Sequence, residues 1–379
     1  MKTTTWLLTG ALAVATSGPA FGQATVTFAN VGELSGPGAS TGTNWKNGVE
    51  LALKEINAKG GILGKKVELK VYDTQTNPGV AKAMATKAID DDPYVVMGPG
   101  FSGSIIVSMN ETKRAEIPNF TSAEASNITM QGNPYIFRTS FSQMTSMPKI
   151  AKYIAENAKA KSVAIVWINN DFGKGGRDAI VKELTARNVK IAADIPADPG
   201  QTDFSAPVLK AKQSEADVLF PYLTEEESAR LLVELRKQGY AKPIIGETTI
   251  VEQKVLDLAG GAANGAKGHV GLTAAAPNPL VKSFAEKFEK EWGYKPNHNA
   301  MKGYIAVYVV KAVTEKLGKF DRKALAQAMK NVRLSAKDHP GVLMDVAYDE
   351  KGDIDRESYL VEVKDGKQVI METLPRLKP

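Results

Sequence analysis

The stretch Tyr94-Val95-Val96-Met97-Gly98-Pro99-Gly100-Phe101-Ser102-Gly103-Ser104-Ile105-Ile106-Val107 decides the fold class of this chain. Its four apolar leading residues read as a buried strand, and the run that starts at Ile105 reads as the opening of a helix. A strand that passes through small residues into a helix is part of a β-α-β unit. The turn also has a chemistry of its own. Glycines let backbone approach a ligand closely, and the free N–H groups and positive dipole end of a helix attract an anion. Phe101 and Ser102 stand at this place, and Ser102 adds a hydroxyl. Glycines serve any short strand-to-helix turn, so the surrounding chain has to discriminate between the two roles.

The same alternation extends in both directions. Upstream, 26–30 reads as a strand, 45–57 as a helix stopped by Lys59-Gly60-Gly61, 67–72 as a strand and 80–90 as a helix. Downstream come a short strand at 118–121 and an irregular segment at 122–133. A second series follows, with helices at 146–158, 176–187, 206–213 and 225–239 and strands at 163–168, 190–195, 217–222 and 243–246. Two series predict two α/β lobes, each a parallel sheet flanked by helices. Ligands of such sheets bind at the carboxyl ends of the strands. Those ends are the turns at 35–41, 100–104, 121–126, 169–172, 222–224 and 247–249, all rich in Ser, Thr, Gly or acidic residues.

Length and composition agree with two lobes, since 379 residues at 43% hydrophobic content supply two cores. Residues 1–22 read as an export signal: Lys2, an apolar run through Trp6, Leu7 and Leu8 that is too short to span a bilayer, then Ala20-Phe21-Gly22 before the expected cut. The chain has no cysteine, which removes disulfides and any lipid-modified cysteine after the signal. A free periplasmic protein is the expectation. The net charge of +6 is spread over helical faces in alternating sign, so there is no nucleic-acid stripe and no nucleic-acid partner is expected.

Catalysis finds no support. There is no thiol nucleophile, and His269, His298 and His339 lack metal-ligand spacing. Gly100-Phe101-Ser102-Gly103-Ser104 fails the nucleophile-elbow pattern because its last position is a serine. Gly60 to Lys66 falls one residue short of a phosphate loop and lacks the Ser or Thr after Lys65. No catalytic residue, metal or cofactor is assigned.

Several segments together resemble the leucine/isoleucine/valine-binding protein family, the type I periplasmic solute-binding proteins of ATP-driven importers. They are Gly32-Glu33-Leu34-Ser35-Gly36-Pro37, Glu55-Ile56-Asn57-Ala58-Lys59-Gly60-Gly61-Ile62-Leu63-Gly64, Tyr72-Asp73, Asp171-Phe172-Gly173-Lys174-Gly175, Thr202-Asp203-Phe204-Ser205 and Asp349-Glu350-Lys351-Gly352-Asp353. The resemblance implies a two-lobed fold closing on a ligand, with residues 23–142 and about 272–356 in the first lobe and 143–271 and about 357–379 in the second. It implies an amino acid, branched-chain or otherwise hydrophobic, bound for a membrane permease by a protein that is a monomer. The alternatives are an amine-free aromatic or aliphatic carboxylic acid and, more remotely, a ligand-presenting sensor.

Carried over by position, Ser102 matches a carboxylate-binding serine and Ala123 a residue whose backbone grips the ligand. Glu124 and Ala125 stand where a Thr or Ser is usual, and Phe172 matches an aromatic contact from the second lobe. Thr41 and Thr224 replace aromatic residues. Glu247 and Thr248 compete for the amine-binding carboxylate position, and Tyr222 lies at the end of the 217–222 strand, at another of the binding turns. Each glutamate could equally be a solvated loop acid.

Overall fold

The structure, a computed structural model, describes residues 24–377, and the expected export signal lies outside the described residues. The first lobe is built on β1 (Thr25–Gly32), α1 (Ala39–Ala58), β2 (Lys66–Asp73), α2 (Pro78–Asp90), β3 (Val95–Met97), α3 (Ser102–Arg114), β4 (Asn119–Thr121) and β5 (Ile136–Arg138). Its five strands pair in the order β2-β1-β3-β4-β5, all parallel, as the alternation requires.

The second lobe follows with α4 (Gln143–Lys152), β6 (Ser162–Ile168), α5 (Asp171–Thr185), β7 (Lys190–Ala197), α6 (Ser205–Gln213), β8 (Val218–Tyr222), α7 (Glu225–Lys237), β9 (Ile245–Glu247), α8 (Gln253–Ala259) and β10 (Lys267–Val270). Strands β7-β6-β8 are parallel, and a bridge from Leu219 to Ile244 links them to the parallel pair β9 and β10. The chain then returns to the first lobe with α9 (Pro279–Trp292), α10 (His298–Leu317) and α11 (Arg322–Met329). A small antiparallel sheet of β11 (Arg333–Leu334), β12 (Val346–Tyr348) and β13 (Ile354–Asp355) follows. It ends with β14 (Ser358–Lys364) and β15 (Lys367–Leu374), antiparallel additions beside β10. The chain therefore passes between the lobes near Thr139, near Gly271 and at Arg356.

Small residues set the helix packing of the first lobe. A Cβ on Gly48 of α1 would lie 1.9 Å from the Ala300 carbonyl oxygen of α10, and one on Gly303 would lie 2.3 Å from the Trp45 oxygen. The two helices thus touch backbone to backbone at two places, which only glycine permits. Helix α10 is buried along most of its length and forms the lobe's spine.

Three boundaries differ from the sequence expectation. Helix α1 begins at Ala39 rather than residue 45, because its first turn of small polar residues packs against Glu33 of the first turn, where a Cβ on Gly42 would meet the Glu33 oxygen at 2.1 Å. Helix α5 begins at Asp171, where Asn170 caps it by accepting from the Gly173 N–H. Helix α4 begins at Gln143 under a Ser142 cap and ends in a π-helical turn at Tyr153–Asn157.

Candidate ligand site between the lobes

The carboxyl ends of the central strands of both sheets face one another, and the lobes meet there. Thr41 Oγ1, in α1, donates to Glu225 Oε1, in α7, at 3.0 Å. Asn297 and His298, at the start of α10, lie against Glu252 of the second lobe, with His298 Nδ1 3.6 Å from its carboxylate. Gln143 is the tie between the halves. Its backbone N–H donates to the Glu124 oxygen and its Oε1 accepts from Ser126 N, while its Nε2 donates to the Phe172 oxygen at 2.7 Å and to the Tyr222 hydroxyl at 3.0 Å.

The turn before α3 holds a carboxyl group, but one of the chain's own. Glu33, fully buried at the end of β1, accepts from Gly100 N at 3.0 Å and Phe101 N at 3.2 Å. Burial pushes its carboxyl above the usual range, against the pull of those two amides. Phe101 is therefore not an open backbone donor, and its ring packs on Gly38. Ser102 is placed differently. Its Oγ accepts from Ala125 N at 3.2 Å, so its own proton remains to be donated, and it opens α3, whose first N–H groups have no acceptor within the helix. Ala123 does not present a free amide, because its N–H donates to Thr121 Oγ1 at 3.1 Å and its oxygen accepts from Arg138 and Ser140.

On the second lobe, Phe172 and Tyr222 stack with ring centroids 4.3 Å apart. The two polar residues expected beside them are engaged elsewhere. The Thr224 hydroxyl donates to Glu227, and Thr41 makes the bond to Glu225.

The two glutamates weighed from the sequence point inward, and both are already partnered. Glu247 Oε1 lies 2.5 Å from His269 Nδ1, and its Oε2 accepts from the Thr248 N–H and hydroxyl. Burial pushes the Glu247 carboxyl up, but His269 and the Thr248 donors outweigh it and hold the group below the usual range. Glu124 takes Lys302 Nζ at 3.2 Å, and burial nonetheless raises its pKa. Together with Thr248, His298, Phe141, Ser146 and Arg356, these residues line an enclosed cavity with room for little more than one water-sized group. Lys302, Gln143 and Arg356 were not singled out from the sequence, and His298 was weighed only for metal-ligand spacing, because each is a solitary polar residue inside a helix or loop with no pattern around it. Two larger open grooves of about 690 Å³ are lined by none of the expected site residues.

Glu252 carries a testable consequence of this interface. Burial, and then the neighbouring Glu225 carboxylate, push its pKa well above the ordinary 4.5, so the folded protein keeps a proton there. The stabilisation is complete below the unfolded value and is lost as pH rises towards the folded one. In Glu252→Gln no proton is at stake. The melting temperature of this variant minus that of the parent should therefore grow as the pH rises above about 5, and a constant difference would show that the folded protein holds no such proton.

Among the described residues no group of three or more His, Cys, Asp or Glu could hold a metal ion, and no helix is long and apolar enough to cross a membrane. A family model described as periplasmic binding protein matches residues 25–368. The chain is 31% identical to the Leu/Ile/Val-binding protein BraC3 of Rhizobium johnstonii over 98% of its own length and 100% of that protein. It is 30% identical to the Leu/Ile/Val-binding protein of Escherichia coli over 68% of its own length and 71% of that one. Among solved structures, a leucine-binding protein of Thermotoga maritima superposes with a TM-score of 0.85 at 22% identity, covering 92% of this chain and 99% of that one. A solute-binding protein of Rhodopseudomonas palustris in complex with 3,4-dihydroxybenzoic acid gives 0.85 at 25% identity, covering 93% and 98%. With the two-lobed α/β architecture and the interlobe site in place, these matches establish that the chain belongs to the periplasmic binding protein family, with the type I fold.

Proposed function

We propose that this protein is the periplasmic solute-binding component of an ABC importer, taking an amino acid by its carboxylate and presenting it to the membrane permease. The observation that carries the site is Ser102: buried, at the first turn of α3, fixed by Ala125 N and left with a hydroxyl proton to give. The ligand carboxylate docks there on the first lobe. The second lobe then closes with the Phe172 and Tyr222 rings, and the closed shape is what the permease recognises. The relatives named for Leu, Ile and Val support the amino-acid form. The protein acts as a monomer, without catalysis, after its export signal is removed, and the lobe boundaries follow the three passages of the chain.

A second reading, an amine-free aromatic acid, is favoured by the pairing of both inward glutamates. With Glu247 on His269 and Glu124 on Lys302, an ammonium group would have to displace an existing partner to find a carboxylate. The neighbour that holds 3,4-dihydroxybenzoic acid lends this reading support.

One experiment separates the two. Thermal shifts of the mature protein should appear with leucine, valine or phenylalanine and be absent with their deaminated analogues if the ligand is an amino acid. Shifts with amine-free acids alone favour the second reading. For whichever acid binds, Ser102→Ala should weaken affinity by about 1–3 kcal/mol through loss of a hydrogen bond to a charged group. Unchanged affinity in a titration of that variant removes Ser102 from the site.

A further inference from the structure

Where the lobes meet, two acids of the second lobe take no part in holding the ligand. Glu252 lies at the start of α8 and Glu225 at the start of α7, and both are buried. Their carboxyl groups share a hydrogen bond. Two ionised carboxylates cannot make such a bond, because each only accepts, so a proton has to lie between them.

The first lobe covers this pair with neutral donors. The backbone N–H groups of Asn299 and Ala300 fix Asn297 Oδ1, which turns the Asn297 Nδ2 to Glu252 Oε1. Thr41 Oγ1 donates to Glu225 Oε1 at 3.0 Å. The charged and titratable neighbours do not replace the proton. His298 Nδ1 stands 3.6 Å from Glu252 Oε1, but burial, and then the Lys302 ammonium, hold its ring well below the usual range, so it brings no charge. Lys302 also faces Glu252 from α10, with its Nζ bonded to Glu124 at 3.2 Å. From α8, Lys254 Nζ lies 3.4 Å from Glu225 Oε2 and 4.0 Å from the exposed Glu226. With the lobes together, burial first and Glu225 second push the Glu252 carboxyl well above its ordinary 4.5. Parting the lobes takes away the Asn297 and Thr41 donors and lets water reach both acids.

We propose that closure of the cleft takes up one proton from solvent onto a carboxylate oxygen of the Glu252–Glu225 pair, which makes the pair a pH-sensitive latch between the lobes. This rests on the reading of a cleft that closes on a carboxylate ligand. The sign follows from linkage. The closed form binds the extra proton, so ligand affinity is greatest near the ordinary glutamate range and falls as the pH rises above it, by up to about tenfold per pH unit for one proton.

The test is isothermal titration of the mature protein with L-leucine and with benzoate from about pH 5 to pH 8, a range over which both probes keep their charge. For a probe that binds, the parent's affinity should fall about tenfold or more across the range. Titrations at one pH in PIPES and in imidazole, whose ionisation heats differ, should show net proton uptake on binding. In Glu252→Gln the amide donates to Glu225 with no proton at stake, so the profile should flatten and the variant should bind more tightly than the parent at the alkaline end. Glu225→Gln removes the shared proton from the other side and should flatten the profile too. Glu124 and Glu247 are unchanged in both variants, so the difference from the parent isolates the latch. A parent whose affinity is level across the range, or variants that keep the parent's slope, overturn the latch and leave the ligand site in place. If neither probe binds at any pH, the reading of the cleft falls and the latch falls with it.

Discussion

Arg138→Met should lower the free energy of unfolding by about 3–5 kcal/mol, the loss expected when one partner of a buried ion pair is removed. Arg138 is fully buried at the end of β5 and spends its guanidinium on four groups. Its Nε meets Asp353 at 2.7 Å, Nη1 donates to the Ala123 oxygen, and Nη2 donates to the Ala125 oxygen at 3.1 Å and the Thr129 hydroxyl at 3.2 Å. The methionine fills a similar volume but leaves Asp353 without its cation and takes one donor each from the Ala123 and Ala125 oxygens, which keep only Ser140 Oγ at 3.3 Å and Ile128 N at 3.2 Å. The cost extends to binding, because the 123–125 loop is the one that fixes Ser102. Urea unfolding should show the lowered midpoint, and Arg138→Lys should recover only part of it because an ammonium cannot reproduce the fork. A variant within about 1 kcal/mol of the parent would show that the loop is held by other means.

Gly173→Ala should cost about 2–3 kcal/mol, at the upper end of what overpacking exacts. A Cβ there would stand 1.7 Å from the Ile168 carbonyl oxygen and 2.6 Å from its Cγ2, and the first of these is backbone that cannot rotate aside. To admit the methyl, the first turn of α5 must lift off β6, and Phe172 would move with it away from Tyr222. Stability and ligand affinity should therefore fall together. Gly103→Ala is the matched control, since its Cβ would rest at an ordinary 3.5 Å from Asp171. Equal melting temperatures for the two alanine variants would dismiss the close approach at Gly173.

The architecture was legible because the core strands are uninterrupted apolar runs and the helices between them end on capping or glycine residues. What was missed has particular physical reasons. Strand β5 is three residues long and finishes on an arginine, which opposes the apolar pattern of a buried strand. The antiparallel pair β14 and β15 carries no crossover helix to announce it. At the site, the residue types were readable but their partners were not. Glu124 finds Lys302 across 178 residues and Glu247 finds His269 across 22, and no local pattern encodes either meeting. The turn at Gly98 to Ser104 was read as an anion site, and Glu33, read only as part of a family motif, is the residue that fills part of it.

The position of Arg356 on the third passage, bonded to an oxygen at each of the other two, has a mechanical consequence. Three strands of chain tied by one side chain behave as a single axle rather than as three loose threads. Such an axle resists shear and twist of one lobe against the other and leaves rotation about one axis as the soft motion. The protein then has few partially shut shapes to offer, and a permease reading its surface meets two outlines, open or shut, with little between them.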